Sequence, residues 1–155
     1  MRKTTIPDGP SIPKIGEGKR GPEGYLGYLL RQAGAAHARR MERALSDLGV
    51  TPPQFVVLTM LVAYPGISNA EIARLAMLTP QTVSVIVSNL ERSGALERRA
   101  HAVHGRIQHL DVTAEGERLL GASRQRVRAL ERQLAASLTP DEEQIVRRWL
   151  VAVAL

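Results

Sequence analysis

Apolar residues recur along most of this chain at steps of three and four, the spacing that gathers them on one face of an α-helix. The first such stripe is Leu26, Leu29, Leu30, Ala33, Ala36, His37, Ala44, Leu45 and Leu48. Pro22 fits the first turn of that helix, where its missing N–H leaves nothing unbonded, and Gly49 closes it. Thr51-Pro52-Pro53-Gln54 has the form of a capping box with proline at the first helical position. The helix it opens runs through Val57, Leu58, Leu61 and Val62 and stops at Pro65-Gly66. Ser68-Asn69-Ala70-Glu71 is another capping box, opening a short helix through Ile72, Leu75 and Ala76. Thr79-Pro80 starts the next, which reaches Ser93 and ends on Gly94. Thr113 begins a long helix through Leu119, Leu120, Val127, Leu130 and Leu134. Thr139-Pro140-Asp141-Glu142 begins the last, whose expected buried face is Ile145, Val146, Trp149, Leu150 and Val153.

Between residues 95 and 112 the helical period vanishes. Leu96, Leu110 and Val112 alternate with Glu97, Arg98, Arg99, His109 and Asp111, the two-residue period of strands with one apolar face. Ala102-Val103-His104-Gly105 supplies a turn. The pattern therefore predicts a mainly α chain of six helices interrupted by one small β-hairpin. Residues 1–21, dense in Pro and Gly, are expected to form a flexible arm with Lys14, Lys19 and Arg20 exposed.

Composition narrows the possible architectures and partners. At 155 residues with 44% hydrophobic residues, the chain suits one domain with a core. Aromatics are only 3%, so that core is aliphatic, which favours packed helices over a β-sandwich. The absence of cysteine excludes disulfides, thiolate zinc sites and thiol redox sensing. No apolar run approaches the ~18 residues of a membrane span, and the basic start has no apolar stretch behind it. The expectation is a cytoplasmic protein with no membrane partner. A net charge of +6 suits a polyanion, and its position says more than its size. The excess lies in the first fifty residues and in the hairpin, where Arg98, Arg99 and Arg106 meet one acid, Asp111.

Helix, tight turn, helix and hairpin make a winged helix-turn-helix. Its second helix, residues 80–93, has the width of a DNA major groove. Thr79, Gln81, Thr82, Ser84 and Ser88 give that helix short hydrogen-bonding side chains, while Val83, Ile86, Val87 and Leu90 face the core. Gln can pair with adenine through both amide groups, and Ser or Thr can reach phosphates or a thymine methyl. The same hydroxyls would also solvate any exposed helix. The neighbouring hairpin tips the balance, because Arg98, Arg99, Arg106 and His104 place a basic projection where a wing meets the sugar-phosphate backbone.

These segments resemble the MarR family of regulators. Ile72-Ala73-Arg74-Leu75, followed by Leu78-Thr79-Pro80-Gln81-Thr82-Val83-Ser84, looks like that family's helix-turn-helix. Residues 90–99, reading LERSGALERR, resemble the end of its recognition helix and its first wing strand. Leu110-Asp111-Val112-Thr113-Ala114-Glu115-Gly116 is similar to its junction into the fifth helix. The resemblance covers residues 24–155. One position departs: the family commonly carries an Asp two residues before the wing arginine, and His104 stands there instead, so no carboxylate orients Arg106 from that position.

The resemblance implies one domain over residues 22–155, with a winged core at about 51–113 and dimerisation helices from both ends, at about 22–48 and 113–155. It implies a homodimer on a pseudo-palindromic double-stranded DNA site, usually as a repressor released by a small aromatic or anionic ligand. Trp149 is then either a dimer anchor or a core residue. Tyr28, His37 and Arg40 are possible ligand-lining residues by position, with ordinary packing as the plainer reading of each.

Other classes fit less well. His101, His104 and His109 cluster, but near a hairpin tip without the four held ligands zinc requires, so no metal or other cofactor is expected. No phosphate loop, nucleophile motif or paired carboxylate marks an enzyme. A protein-docking winged helix would show an apolar outer face on residues 80–93. The nearest rival is an architectural, sequence-tolerant DNA binder.

Overall fold

The structure, a computed structural model, describes residues 12–100 and 108–154. Residues up to Arg39 form one compact unit and Arg40–Leu155 another.

In the first unit, the segment expected to be an arm is knitted by local hydrogen bonds. The Gly16 N–H donates to the Arg20 carbonyl at 3.0 Å, and Gly24 N–H to the Gly21 carbonyl at 2.9 Å. The Arg20 guanidinium reaches the Pro13 carbonyl at 2.9 Å. Gly21 has no room for a side chain, since a Cβ there would lie 2.3 Å from the Gly16 oxygen. Lys14 and Lys19 are exposed as expected, whereas Arg20 is half-buried. Because Pro22 and Gly24 are used in these turns, helix α1 (Leu26–Leu45) begins later than Pro22. Its early apolar residues are not covered: Leu26 is 69% exposed.

The second unit holds the rest of the fold. A 3-10 turn, Ser46–Leu48, ends on Gly49 in the left-handed region at φ 66°, the conformation that glycine adopts without steric cost. Then follow α2 (Pro52–Ala63), α3 (Asn69–Ala76), α4 (Pro80–Arg92), β1 (Leu96–Ala100), β2 (Gln108–Val112), α5 (Ala114–Ala135) and α6 (Pro140–Val153). The three capping boxes, Thr51–Gln54, Ser68–Glu71 and Thr139–Glu142, are all formed, each satisfying free N–H groups at a helix start. The strands pair antiparallel, Leu96 with Val112 and Arg98 with Leu110. The turn 102–105 lies outside the described residues, as do His101, His104 and Arg106.

The larger core joins Val57, Leu58 and Leu61 of α2, Ile72 and Ala73 of α3, Val83, Ile86, Val87 and Leu90 of α4, and Leu96 and Leu120. A smaller one gathers Met41, Leu45, Val50 and Leu130. Both are aliphatic, as the composition requires. The hairpin is tied to α5 at one junction. The Thr113 hydroxyl donates to the Gly94 carbonyl at 2.6 Å and accepts from Gly116 N–H at 3.0 Å. Gly116 is obligatory there, because a Cβ would meet the Ala95 oxygen at 2.1 Å.

The last helix departs from expectation. Its predicted buried face is bare in a single chain, with Ile145 57%, Trp149 38% and Val153 51% exposed, and no α6 residue is buried. The periodicity locates an apolar face correctly, but nothing within the described chain covers it. Among the described residues, no single helix is long and apolar enough to cross a membrane.

Candidate nucleic-acid interface

Helix α4 owes its place to the split between its two faces. Val83, Ile86, Val87 and Leu90 anchor it against α2, α3 and β1, all four less than a tenth exposed. The turn from α3 passes through Met77 in the left-handed region, φ 52°, and then Thr79 caps α4. Gln81, Thr82, Ser84 and Ser88 are thereby all left exposed, together with Thr79.

Their chemical readiness differs. The Thr79 hydroxyl accepts from Thr82 N–H at 3.1 Å and shares a hydrogen bond with the Thr82 hydroxyl at 2.9 Å. Ser84 donates back to the Pro80 carbonyl at 3.0 Å, a bond typical of hydroxyls inside helices. Gln81 and Ser88 carry no side-chain hydrogen bond among the described residues, so their full capacity faces outward. The polar pattern passes over one more exposed residue of this face, Val85. Its helical spacing of four from Gln81 and three to Ser88 is the signal that would have found it.

The hairpin's described arginines are less free than their number suggests. Arg98 grips Glu91 of α4 with two donors, at 2.6 and 3.1 Å. Arg99 lies between Glu97 at 2.8 Å and Asp111 at 3.1 Å, and these contacts raise its pKa further, the Glu97 hydrogen bond most. Both arginines therefore arrive with a carboxylate attached. The Arg98–Glu91 pair also joins the first wing strand to the end of α4. The two residues are seven apart and on different elements, so no periodicity announces the contact.

The three ligand-lining candidates do not share a face. At 100° per residue, Tyr28 lies about 180° round α1 from His37, whereas Arg40 lies one turn beyond His37 on its own side. Tyr28 and His37 are half-buried and Arg40 is exposed. The Arg31 guanidinium sits 5.8 Å from the Tyr28 ring centre. Among the described residues, the buried His37 Nδ1 meets no hydrogen-bond partner.

A polar helix face held outward by an apolar one, with a strand pair fastened beside it, defines a winged helix-turn-helix protein. A family model described as MarR family matches residues 48–107. The chain is 40% identical over 125 residues to the HTH-type transcriptional repressor Rv2887 of Mycobacterium tuberculosis, covering 81% of this chain and 90% of that protein. A crystal structure of the Mycobacterium tuberculosis MarR family protein Rv2887 with p-aminosalicylic acid superimposes with a TM-score of 0.70 at 36% identity, covering 85% of this chain and 100% of that one. A crystal structure of the same protein with DNA gives 0.69 at 35%, covering 86% and 100%. The chain belongs to the MarR family. These relatives are transcriptional regulators.

Proposed function

We propose that this protein is a sequence-specific, DNA-binding transcriptional repressor, working as a homodimer and released from its operator by a small aromatic or anionic ligand. The observation that carries this is α4: four core residues hold it rigidly while its amide and hydroxyl side chains face outward. The DNA complex of a relative with the same fold supports the reading. In this plan α4 enters the major groove, with Gln81 and Ser88 as its base readers and Thr79, Thr82 and Ser84 nearer the backbone. Arg98, Arg99, His104 and Arg106 belong to the wing, with Arg98 and Arg99 exchanging carboxylates for phosphates.

The bare apolar faces of α1 and α6 are the dimerisation surfaces of the single domain 22–155. Two-fold symmetry then sets half-sites about 34–36 Å apart. Of the ligand candidates, His37 has the strongest support. A buried ring nitrogen lacking a partner is unfavourable, and a ligand carboxylate or hydroxyl would satisfy it. Tyr28, on the opposite side of α1 from His37, would serve that site only as a contribution from a second copy.

A fluorescence-anisotropy titration tests the proposal, using DNA from upstream of the protein's own gene and a scrambled control at physiological salt. A preference of about a thousandfold is expected, reduced by p-aminosalicylic acid, which the relative's structure contains. Equal affinity for both duplexes would favour a sequence-tolerant architectural protein instead.

A further inference from the structure

Val85 is 60% exposed on α4, in the middle of the outward face. Its neighbours Val83, Ile86 and Val87 are buried, so the helix turns this one branched apolar residue away from the core. A β-branched residue is a poor choice for a merely solvated helix position, because it loses side-chain freedom there. A lone exposed valine is ordinary on a protein surface. Its surroundings distinguish this one. Thr82 and Ser84 spend their hydroxyls within the helix, and the Asn89 side-chain Oδ1 accepts from the Arg92 guanidinium at 2.6 Å. Along the middle of the face Gln81, Val85 and Ser88 form no side-chain hydrogen bond among the described residues, and they are spaced by four and three residues and therefore adjacent. They present, in order, an amide, a branched alkyl group and a hydroxyl.

We propose that Val85 is a specificity-determining residue that packs against the C5-methyl group of a thymine, next to the base read by Gln81. The inference rests on the DNA-binding function proposed above and extends it to the sequence recognised. Thymine is the base that presents an apolar group at the major-groove edge, where cytosine presents only hydrogen at the same carbon. Gln81 is suited to adenine's paired donor and acceptor. Amide and alkyl side by side therefore select an adenine with a thymine at the same or the adjoining base pair in each half-site.

The test begins with the duplex that the native protein enriches from a randomised DNA pool. The thymine beneath α4 is then replaced by uracil, which keeps every hydrogen-bonding group and removes only the methyl. Native protein should lose about fourfold in affinity per half-site, the factor that one buried methyl supplies. Val85→Ala should bind the thymine duplex at least that much more weakly and be indifferent to uracil. Val85→Thr, which keeps the branched shape and one methyl, should fall between them. Because Val85 is exposed, these variants should melt with the native protein. Penalties from Val85→Ala and uracil that simply multiply would overturn the proposal, as would enriched half-sites without thymine at that place. If sequence preference and its loss in Gln81→Ala persist in those cases, the DNA-reading function stands and the thymine contact alone fails. If no sequence is enriched at all, both fall.

Discussion

Helices α4 and α6 both begin with Thr-Pro, and in both the threonine hydroxyl accepts a backbone N–H three residues on, at 3.1 Å from Thr82 and 3.3 Å from Glu142. Both carry apolar residues at helical spacing. Yet α4 buries Val83, Ile86, Val87 and Leu90, while α6 buries none of its residues. The local instructions are equivalent, so the difference lies in what each face meets. Helix α4 meets α2, α3 and β1 of its own chain. Nothing among the described residues covers the face of α6, and in the proposed function a second copy does. Caps and period decide that a helix forms, whereas burial depends on whether a complementary surface belongs to the same chain or to another.

Leu90→Ala should destabilise the protein by about 2–5 kcal/mol, since it empties a buried site. The loss, read from urea unfolding, should be the same at every protein concentration. A concentration-dependent loss would mean that α4 also leans on a partner. Trp149→Ala should act the other way, weakening the dimer roughly thirtyfold, about 2 kcal/mol, as expected for a large aromatic in an interface. Sedimentation equilibrium would show it, with helix content unchanged by circular dichroism. An unaltered dimer constant would remove the α6 face from the interface.

Smaller effects probe the shared beginnings. Thr79→Ala and Thr139→Ala should each lower stability by about 1 kcal/mol, alike because a cap is local. A large inequality between them would show that tertiary packing, not the cap, carries the effect. The smallest expected effect is on pH dependence. Glu71 and Glu142 are held below the usual carboxylate range, chiefly by backbone N–H donation from Ser68 and Thr139 and then by those residues' hydroxyls. A pKa lowered by folding means the unfolded chain takes up the proton first. Their contribution is therefore full above the ordinary carboxylate range and is lost as pH falls through it towards the lower folded values. Glu71→Gln and Glu142→Gln should each flatten the decline in urea midpoint between about pH 6 and about pH 3 by a similar small amount. A steeper decline in either variant would contradict the assignment.

Much of the fold was legible because it is written locally. Thr51, Ser68, Thr79, Thr113 and Thr139 each announced a helix and each caps one. The switch from a period near four to a period of two marked the hairpin. The start of α1 was misplaced because Pro22, a good first helical residue, is drawn into turns with Gly21 and Gly24. At the interface, the polar face of α4 followed from composition and spacing. That Ser84 spends its hydroxyl on Pro80 and that Arg98 is held by Glu91 did not, since those bonds depend on rotamers and on distance between elements.

Local pattern marks where most helices and both strands begin, which of their faces are apolar, and that a polar helix stands beside a basic hairpin. Propensity, capping and periodicity act within a few residues, so a linear reading captures them. Which apolar faces are covered within the chain, which cations already hold a carboxylate, and that Val85 stands outward between Gln81 and Ser88 are settled in the folded molecule. Those outcomes depend on elements distant in sequence meeting in space, where packing and desolvation act on whole surfaces.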